Sequence, residues 1–317
     1  MKNFTKAALI ITLILVILGS IFCAVGLGIG FQFSDFWDDV EAGEFSIGPF
    51  KHTPFIYGRN DWGDDGKVNW ESQDSESFQF AWEEIRELEM DLNYGGITIE
   101  KSEKDSQNIY IDVEYRKKNH KRQVKAYMSG GALCIEEEGA SRVRNDDSAR
   151  IILQIPEEVM ENMWLDSIEM EQDAGYIDVN MPLTAKNISI TVDAGVCSVN
   201  EKLTASGELT ADVGAGQITL SEIEAKSLDL SAGIGQLLVE RMEAEAVDIE
   251  CGVGQIQVTA AGKETDYSYT IECAVGNVSI GDHDYSGLGR GRTIENGGSR
   301  EMDIECNVGD IHVTFTE

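Results

Sequence analysis

The stretch ISITVDAGVCSV, residues 188–199, places an apolar residue at every second position, Ile188, Ile190, Val192 and Ala194. A glycine, Gly195, comes next, followed by two more apolar residues two apart, Cys197 and Val199. Alternation at a period of two marks a strand with one buried face, and the central glycine marks a bend or bulge where a side chain would obstruct the chain. The unit therefore reads as two short strands meeting at a corner. Alone it has nothing against which to bury its apolar side.

The same pattern recurs as IEMEQDAGYIDV (168–179), LTADVGAGQITL (209–220), LDLSAGIGQLLV (228–239), VDIECGVGQIQV (247–258), YTIECAVGNVSI (269–280) and MDIECNVGDIHV (302–313), with a partial copy, LEMDLNYGGITI, at 88–99. The anchoring glycines, Gly175, Gly195, Gly216, Gly235, Gly254, Gly276 and Gly309, are separated by 20, 21, 19, 19, 22 and 33 residues. Stacking such units strand on strand, ~4.8 Å apart, closes a shared interior. The expected fold is all-β, a parallel β-solenoid (β-helix-like) of ~20-residue coils in which Ile190, Leu230, Ile249 and Ile304 line up as inward neighbours. The long last interval predicts an inserted, exposed and mobile loop over residues 281–300. Before the regular coils, residues 109–115, 124–128, 132–136 and 151–155 still alternate or run apolar and read as strands with hairpins. RKKNHKR (116–122) is the turn between the first two.

The amino terminus places the chain. Ala7 to Gly30 is 24 residues without a charge, the length of a membrane-spanning helix. Lys2 and Lys6 precede it and Asp35, Asp38, Asp39 and Glu41 follow, which orients the short tip to the cytoplasm and the rest outside. The stretch is longer than a signal-peptide core and lacks a small-x-small cleavage site, so an uncleaved single-pass anchor is expected. Between Gln32 and Ser77 eleven acidic residues face only Lys51, Arg59 and Lys67, and no period persists. The organisation expected is a cytoplasmic tip and transmembrane helix (1–31), an acidic, mostly disordered spacer (32–81), and the repeat domain (82–317).

The formal net charge of -32 repels nucleic acid. Cys251, Cys273 and Cys306 each fall three residues before an anchor glycine and should stack inside as free thiols, with a bridge between two of them as the alternative, and no pair of the six cysteines has a zinc or redox spacing. Glu169, Glu171, Asp173, Asp193, Asp212, Asp229, Asp248, Glu250, Asp303 and Glu305 fall on the outward side of the same strands. They form a negative face that either stays solvated or attracts a divalent cation or a basic partner. The one strongly basic cluster, Arg116, Lys117, Lys118, Lys121 and Arg122, is either a solvated turn or a contact for anionic lipid headgroups or wall polymers. His52, His120, His283 and His312 are scattered, and no nucleophile elbow, HExxH or Walker loop appears. GLGRGR from Gly287 lacks the lysine and helix of a phosphate loop. No catalytic residue, metal, cofactor or small-molecule substrate is assigned, and an enzyme is not expected.

The tether, the acidic spacer, ILQIPEE from Ile152 running into LDSIEMEQDAGYIDVN, and the serial G-x-I-x-V units resemble the bacterial β-strand-repeat "putative adhesin" domain family of unknown function. The resemblance covers Trp82 to the C-terminus. It implies a cell-envelope protein, in some relatives linked to envelope-stress signalling, and brings no catalytic residues. The expected function is a membrane-anchored, extracytoplasmic binding or scaffold module with an envelope protein or polymer as partner. The alternatives are a sensory or regulatory subunit of a membrane partner and, third, a polysaccharide-active enzyme.

Overall fold

The computed structural model describes residues 72, 74–93, 95–103, 107–115, 123–138, 149–156, 159, 164–285 and 291–316. The apolar stretch 7–30, most of the spacer and the basic turn 116–122 lie outside them. Among the described residues no helix is long and apolar enough to cross a membrane. All of the described strands belong to one compact unit that runs from Trp70 to Glu317.

Seven strands come first: β1 (Asp74–Ala81), β2 (Glu87–Leu92), β3 (Gly95–Ser102), β4 (Asn108–Tyr115), β5 (Gln123–Ser129), β6 (Ala132–Glu138) and β7 (Ala149–Pro156). Five carry the regular coils: β8 (Leu165–Val179), β9 (Leu183–Val213), β10 (Gln217–Ala232), β11 (Gln236–Cys251) and β12 (Gln255–Ala261). Six finish the chain: β13 (Tyr267–Cys273), β14 (Asn277–Ile280), β15 (His283–Asp284), β16 (Arg292–Ile294), β17 (Arg300–Cys306) and β18 (Asp310–Thr316).

The alternating residues do fill a common interior. Parallel register pairs Met170 with Ile190, Ala211 with Leu230, Leu230 with Ile249, and Ile249 with Ile304. All are at most 2% exposed, so each large aliphatic side chain contributes about 1.5–3 kcal/mol by leaving water. Each coil also has a third side that the two-strand unit omits. Lys202–Ala205, Glu222–Ala225 and Arg241–Ala244 pair in parallel across successive coils and bury Leu203, Ile223 and Met242. Irregularities at Leu220/Glu222 and Ala225/Ser227 change the β9 to β10 offset at the corners, so coils of unequal length still stack in register.

The anchor glycines answer to crowding. Gly216, Gly235, Gly254, Gly276 and Gly309 have no positive φ. A Cβ at Gly235 would stand 2.8 Å from the carbonyl oxygen of Gly216, and one at Gly309 2.5 Å from that of Gly254. The glycines form one column in which each meets the carbonyl of the glycine on the rung before it, and a methyl group has no room between rungs ~4.8 Å apart.

The rungs do not stack in chain order. β17 pairs in parallel with β11 on one side and β13 on the other, and β18 sits likewise between β12 and β14. The last coil is thus inserted between the two that precede it, and the glycine column runs Gly254, Gly309, Gly276. The segment expected as a mobile insertion carries the chain back and covers the free edge. β15 pairs antiparallel with β14, β16 pairs antiparallel with β13, and Tyr285 and Ile294 pack against the core. Covering a terminal edge in this way removes a template for strand addition.

The amino-terminal end has the same plan. The coil made by β2 and β3 lies between β8 and the pair β6, β7, all parallel. Antiparallel strands close it: β5 on β6, and β4 on β7 with β1 outside. The hairpin expected between β4 and β5 is absent, because β4 spends both edges on β1 and β7. β1 also lies before Trp82, within the segment expected as spacer, and its Phe78 and Phe80 are half-buried against the core. Inside this end the side-chain alternation carries a polar residue, Gln172, which is 1% exposed and donates from Nε2 to the Leu92 carbonyl at 3.0 Å.

Candidate interaction surfaces

The outward positions of the strand before each glycine form columns of like charge. Asp229, Asp248 and Asp303 are consecutive neighbours across β10, β11 and β17, and Glu250, Glu305 and Glu272 across β11, β17 and β13. Their spacing is the rung spacing, ~4.8 Å, so each carboxylate raises the cost of ionising the next. Partial burial, and then Asp248, push the Asp229 carboxyl above the usual range, and burial followed by Asp303 and Glu305 does the same to Asp248. Asp173 and Asp212 are raised likewise, with Asp193 as the leading charge. Among the described residues no lysine or arginine forms an ion pair with these columns.

The third side sets cations among its glutamates instead. Lys202 Nζ lies 2.6 Å from Glu224 and 3.6 Å from Glu222, Arg241 meets Glu222 at 3.1 Å, and Arg300 meets Glu243 at 2.9 Å. Each pair is at least partly exposed and contributes at most about 1 kcal/mol. The contrast between the two sides is local: on the third side Lys202, Glu222 and Arg241 alternate in register, although Glu224 and Glu243 still meet, whereas the columns before the glycines hold no cation.

A third feature lies at the corner. The fourth apolar residue of each unit, just before the anchor glycine, follows the alternation and is expected inside, yet Ile234, Val253, Val275 and Val308 are 67, 44, 60 and 50% exposed. The chain bends there and turns the residue outward. Backbone hydrogen bonds run from the nitrogens of Ile234, Val253, Val308 and Val275 to carbonyls of the neighbouring rung, which places the four on consecutive rungs in that order. Gly233 and Gly235 flank Ile234, and Gly252 and Gly254 flank Val253, so these side chains stand above their neighbours. Exposure at this position could not be read from periodicity, although an Ile or Val between two glycines signals that nothing beside it shields it.

The cysteine column is present, in the order Cys251, Cys306, Cys273, and all three are buried and free. Burial pushes the Cys306 thiol up to about 12, and its Sγ donates to the Gly309 carbonyl at 3.1 Å. The basic cluster Arg116, Lys117, Lys118, Lys121 and Arg122 lies outside the described residues, as do His52 and His120. Of GLGRGR only Gly291 and Arg292 are described, and Arg292 rests over the Tyr285 ring at 5.5 Å. His312 Nδ1 is 2.6 Å from Ser279 Oγ. Among the described residues no group of three or more His, Cys, Asp or Glu is placed to hold a metal ion, so the acidic columns are not a preformed cation site.

A stack of three-sided coils with displaced terminal rungs defines a β-repeat module. The chain belongs to the Toastrack DUF4097 family, which it matches over residues 85–317. A solved structure described as a "putative adhesin" from Parabacteroides distasonis is 15% identical over 77% of this chain and 97% of that one, with a TM-score of 0.42. A second "putative adhesin", from Bacteroides fragilis, is 14% identical over 76% and 98%, with a TM-score of 0.42. A "putative cell adhesion protein" from Clostridium sporogenes is 15% identical over 77% and 99%, with a TM-score of 0.29. No curated protein matches the sequence.

Proposed function

We infer that this protein is a single-pass membrane protein whose solenoid stands outside the cytoplasm and binds a cell-envelope protein or polymer. The observation that carries the binding reading is the uncompensated outer side, where Asp229, Asp248 and Asp303 repeat at the rung spacing beside Glu250, Glu305 and Glu272. Like charges held in register cost stability, and on the third side of the same coils the row Lys202, Glu222, Arg241 offsets that cost with cations. Three consecutive carboxylates without a cation, in each of two columns, fit a surface kept for a cationic or polar partner. The uncharged stretch Ala7–Gly30, with lysines before it and aspartates after it, supports the anchor and its orientation.

Two measurements test this reading. Protease shaving of intact cells should remove a tag placed after Glu317 and spare one placed before Met1, and the reverse result refutes the orientation. Purified protein offered to cell-wall material and to solubilised membranes should be retained by one of them with saturation. Retention by a single membrane protein would favour the regulatory reading, and retention by neither would refute binding.

A further inference from the structure

We propose that the corner ridge Ile234, Val253, Val308, Val275, together with the glutamate column beside it, docks an amphipathic helix of a partner protein that carries aliphatic residues along one stripe and lysine or arginine along its flank. This deepens the binding reading and rests on it, but needs no membrane anchor. Four observations carry it. The ridge is not required by the interior, which is filled by the preceding positions of each unit, Leu230, Ile249, Ile304 and Ile271, all at most 2% exposed. It is continuous over four consecutive rungs, so aliphatic side chains succeed one another for ~14 Å without a polar break. A helix repeats every ~5.4 Å, close enough to the ~4.8 Å rung for three of its turns to follow the ridge. The flanks choose the charge: three residues before Val253, Val308 and Val275 stand Glu250, Glu305 and Glu272, and two residues after the four ridge positions stand Gln236, Gln255, Asp310 and Asn277, with no cation in either row.

The same flanks argue against other occupants. A second copy packing ridge to ridge would bring two glutamate columns together, and acyl chains would strip water from them. An aliphatic stripe with a cationic border meets both features at once, the apolar contact supplying affinity and the charges the orientation.

The compact unit 70–317 contains every described strand and every described core residue, and is the piece to use. Three synthetic 18-residue helices serve as probes: leucine at i, i+4, i+7 and i+11 with flanking lysine, the same stripe with flanking glutamate, and a scrambled lysine version. Fluorescence anisotropy should show binding of the first only. Replacing Ile234, Val253, Val308 and Val275 with serine should weaken it at least tenfold, and E250Q/E305Q/E272Q should weaken it and flatten its salt dependence. Equal binding by the serine variant overturns ridge docking while leaving the broader binding reading standing. Failure of the lysine helix to bind the parent, or equal binding of its scrambled form, also overturns it. Val253→Glu alone, at an exposed position, gives the same test should the fourfold variant not fold.

Discussion

The displaced last coil makes a prediction that chain-order stacking does not share. Asp248 and Asp303, 55 residues apart in sequence, are direct neighbours across β11 and β17. In chain order β13 would separate them by two rungs, ~10 Å, where salt at 0.1 M already screens exposed charges. At one rung, two unit charges ~4.8 Å apart in a water-like dielectric repel by about 0.9 kcal/mol. D303N should therefore stabilise the protein by roughly 0.5–1 kcal/mol and D248N, which also relieves Asp229, by more, while the double variant should gain little beyond D248N. Urea denaturation at low ionic strength, with all four proteins in one cycle, measures the coupling directly. It should shrink in 1 M NaCl, where the screening length falls to about 3 Å. Asp229 paired with Asp303, two rungs apart, serves as the distant control. Additivity of the Asp248 and Asp303 changes to within about 0.3 kcal/mol at low salt would refute the inserted order.

Other perturbations test other levels of the structure. Gly309→Ala puts a methyl group 2.5 Å from the Gly254 carbonyl and 2.8 Å from Cys251 Sγ, and should cost about 1–3 kcal/mol or more, read as a lower urea midpoint. Ile304→Ala, between Ile249 and Ile271, should cost about 2–5 kcal/mol, whereas serine at exposed Val308 should leave the melting temperature nearly unchanged. The raised carboxyls of Asp173, Asp212, Asp229 and Asp248 mean that the folded chain holds protons more tightly than the unfolded chain. Their contribution to stability is complete below the ordinary aspartate value of about 3.9 and is lost as pH rises through the folded values. Melting temperature should therefore rise from pH 7 toward pH 4.5, more at low salt than at high, and a fall over that range would contradict the columns. The Cys197 and Cys306 thiols, pushed to about 12, and Cys134, pushed to about 11, should react with a disulfide reagent at pH 8 only after unfolding.

The repeat and its inward residues were legible because alternation and spacing are properties of one strand at a time. Ile190, Leu230, Ile249 and Ile304 had to share an interior once the units stacked. Stacking order is different in kind. VDIEC, YTIEC and MDIEC present nearly the same side chains to a neighbour, so any order buries the same surface, and only the course of the connecting segments decides. The third side escaped notice because corner residues such as Ser221 and Lys226 interrupt the period just where Ile223 and Ala225 turn inward. Val253 and its equivalents were expected inside because periodicity cannot register a bend that rotates one residue out of phase. Of the candidate surfaces, the acidic columns were visible in outline, since outward positions follow from inward ones, whereas the ridge required the corner geometry.

In an ordinary solenoid, losing the final coil merely shortens the rod. Here, removing residues 300–316 would open a slot one rung from the end of the stack, leaving β11 and β12 on one side and β13 and β14 on the other with unpaired backbones. A chain emerging amino-terminus first must hold that slot open until residues 300–316 arrive, so completion of the two flanking coils waits on a later segment. A chain that stops before Arg300 therefore leaves strand edges of β11, β12, β13 and β14 unpaired, a template for aggregation that the complete coil removes.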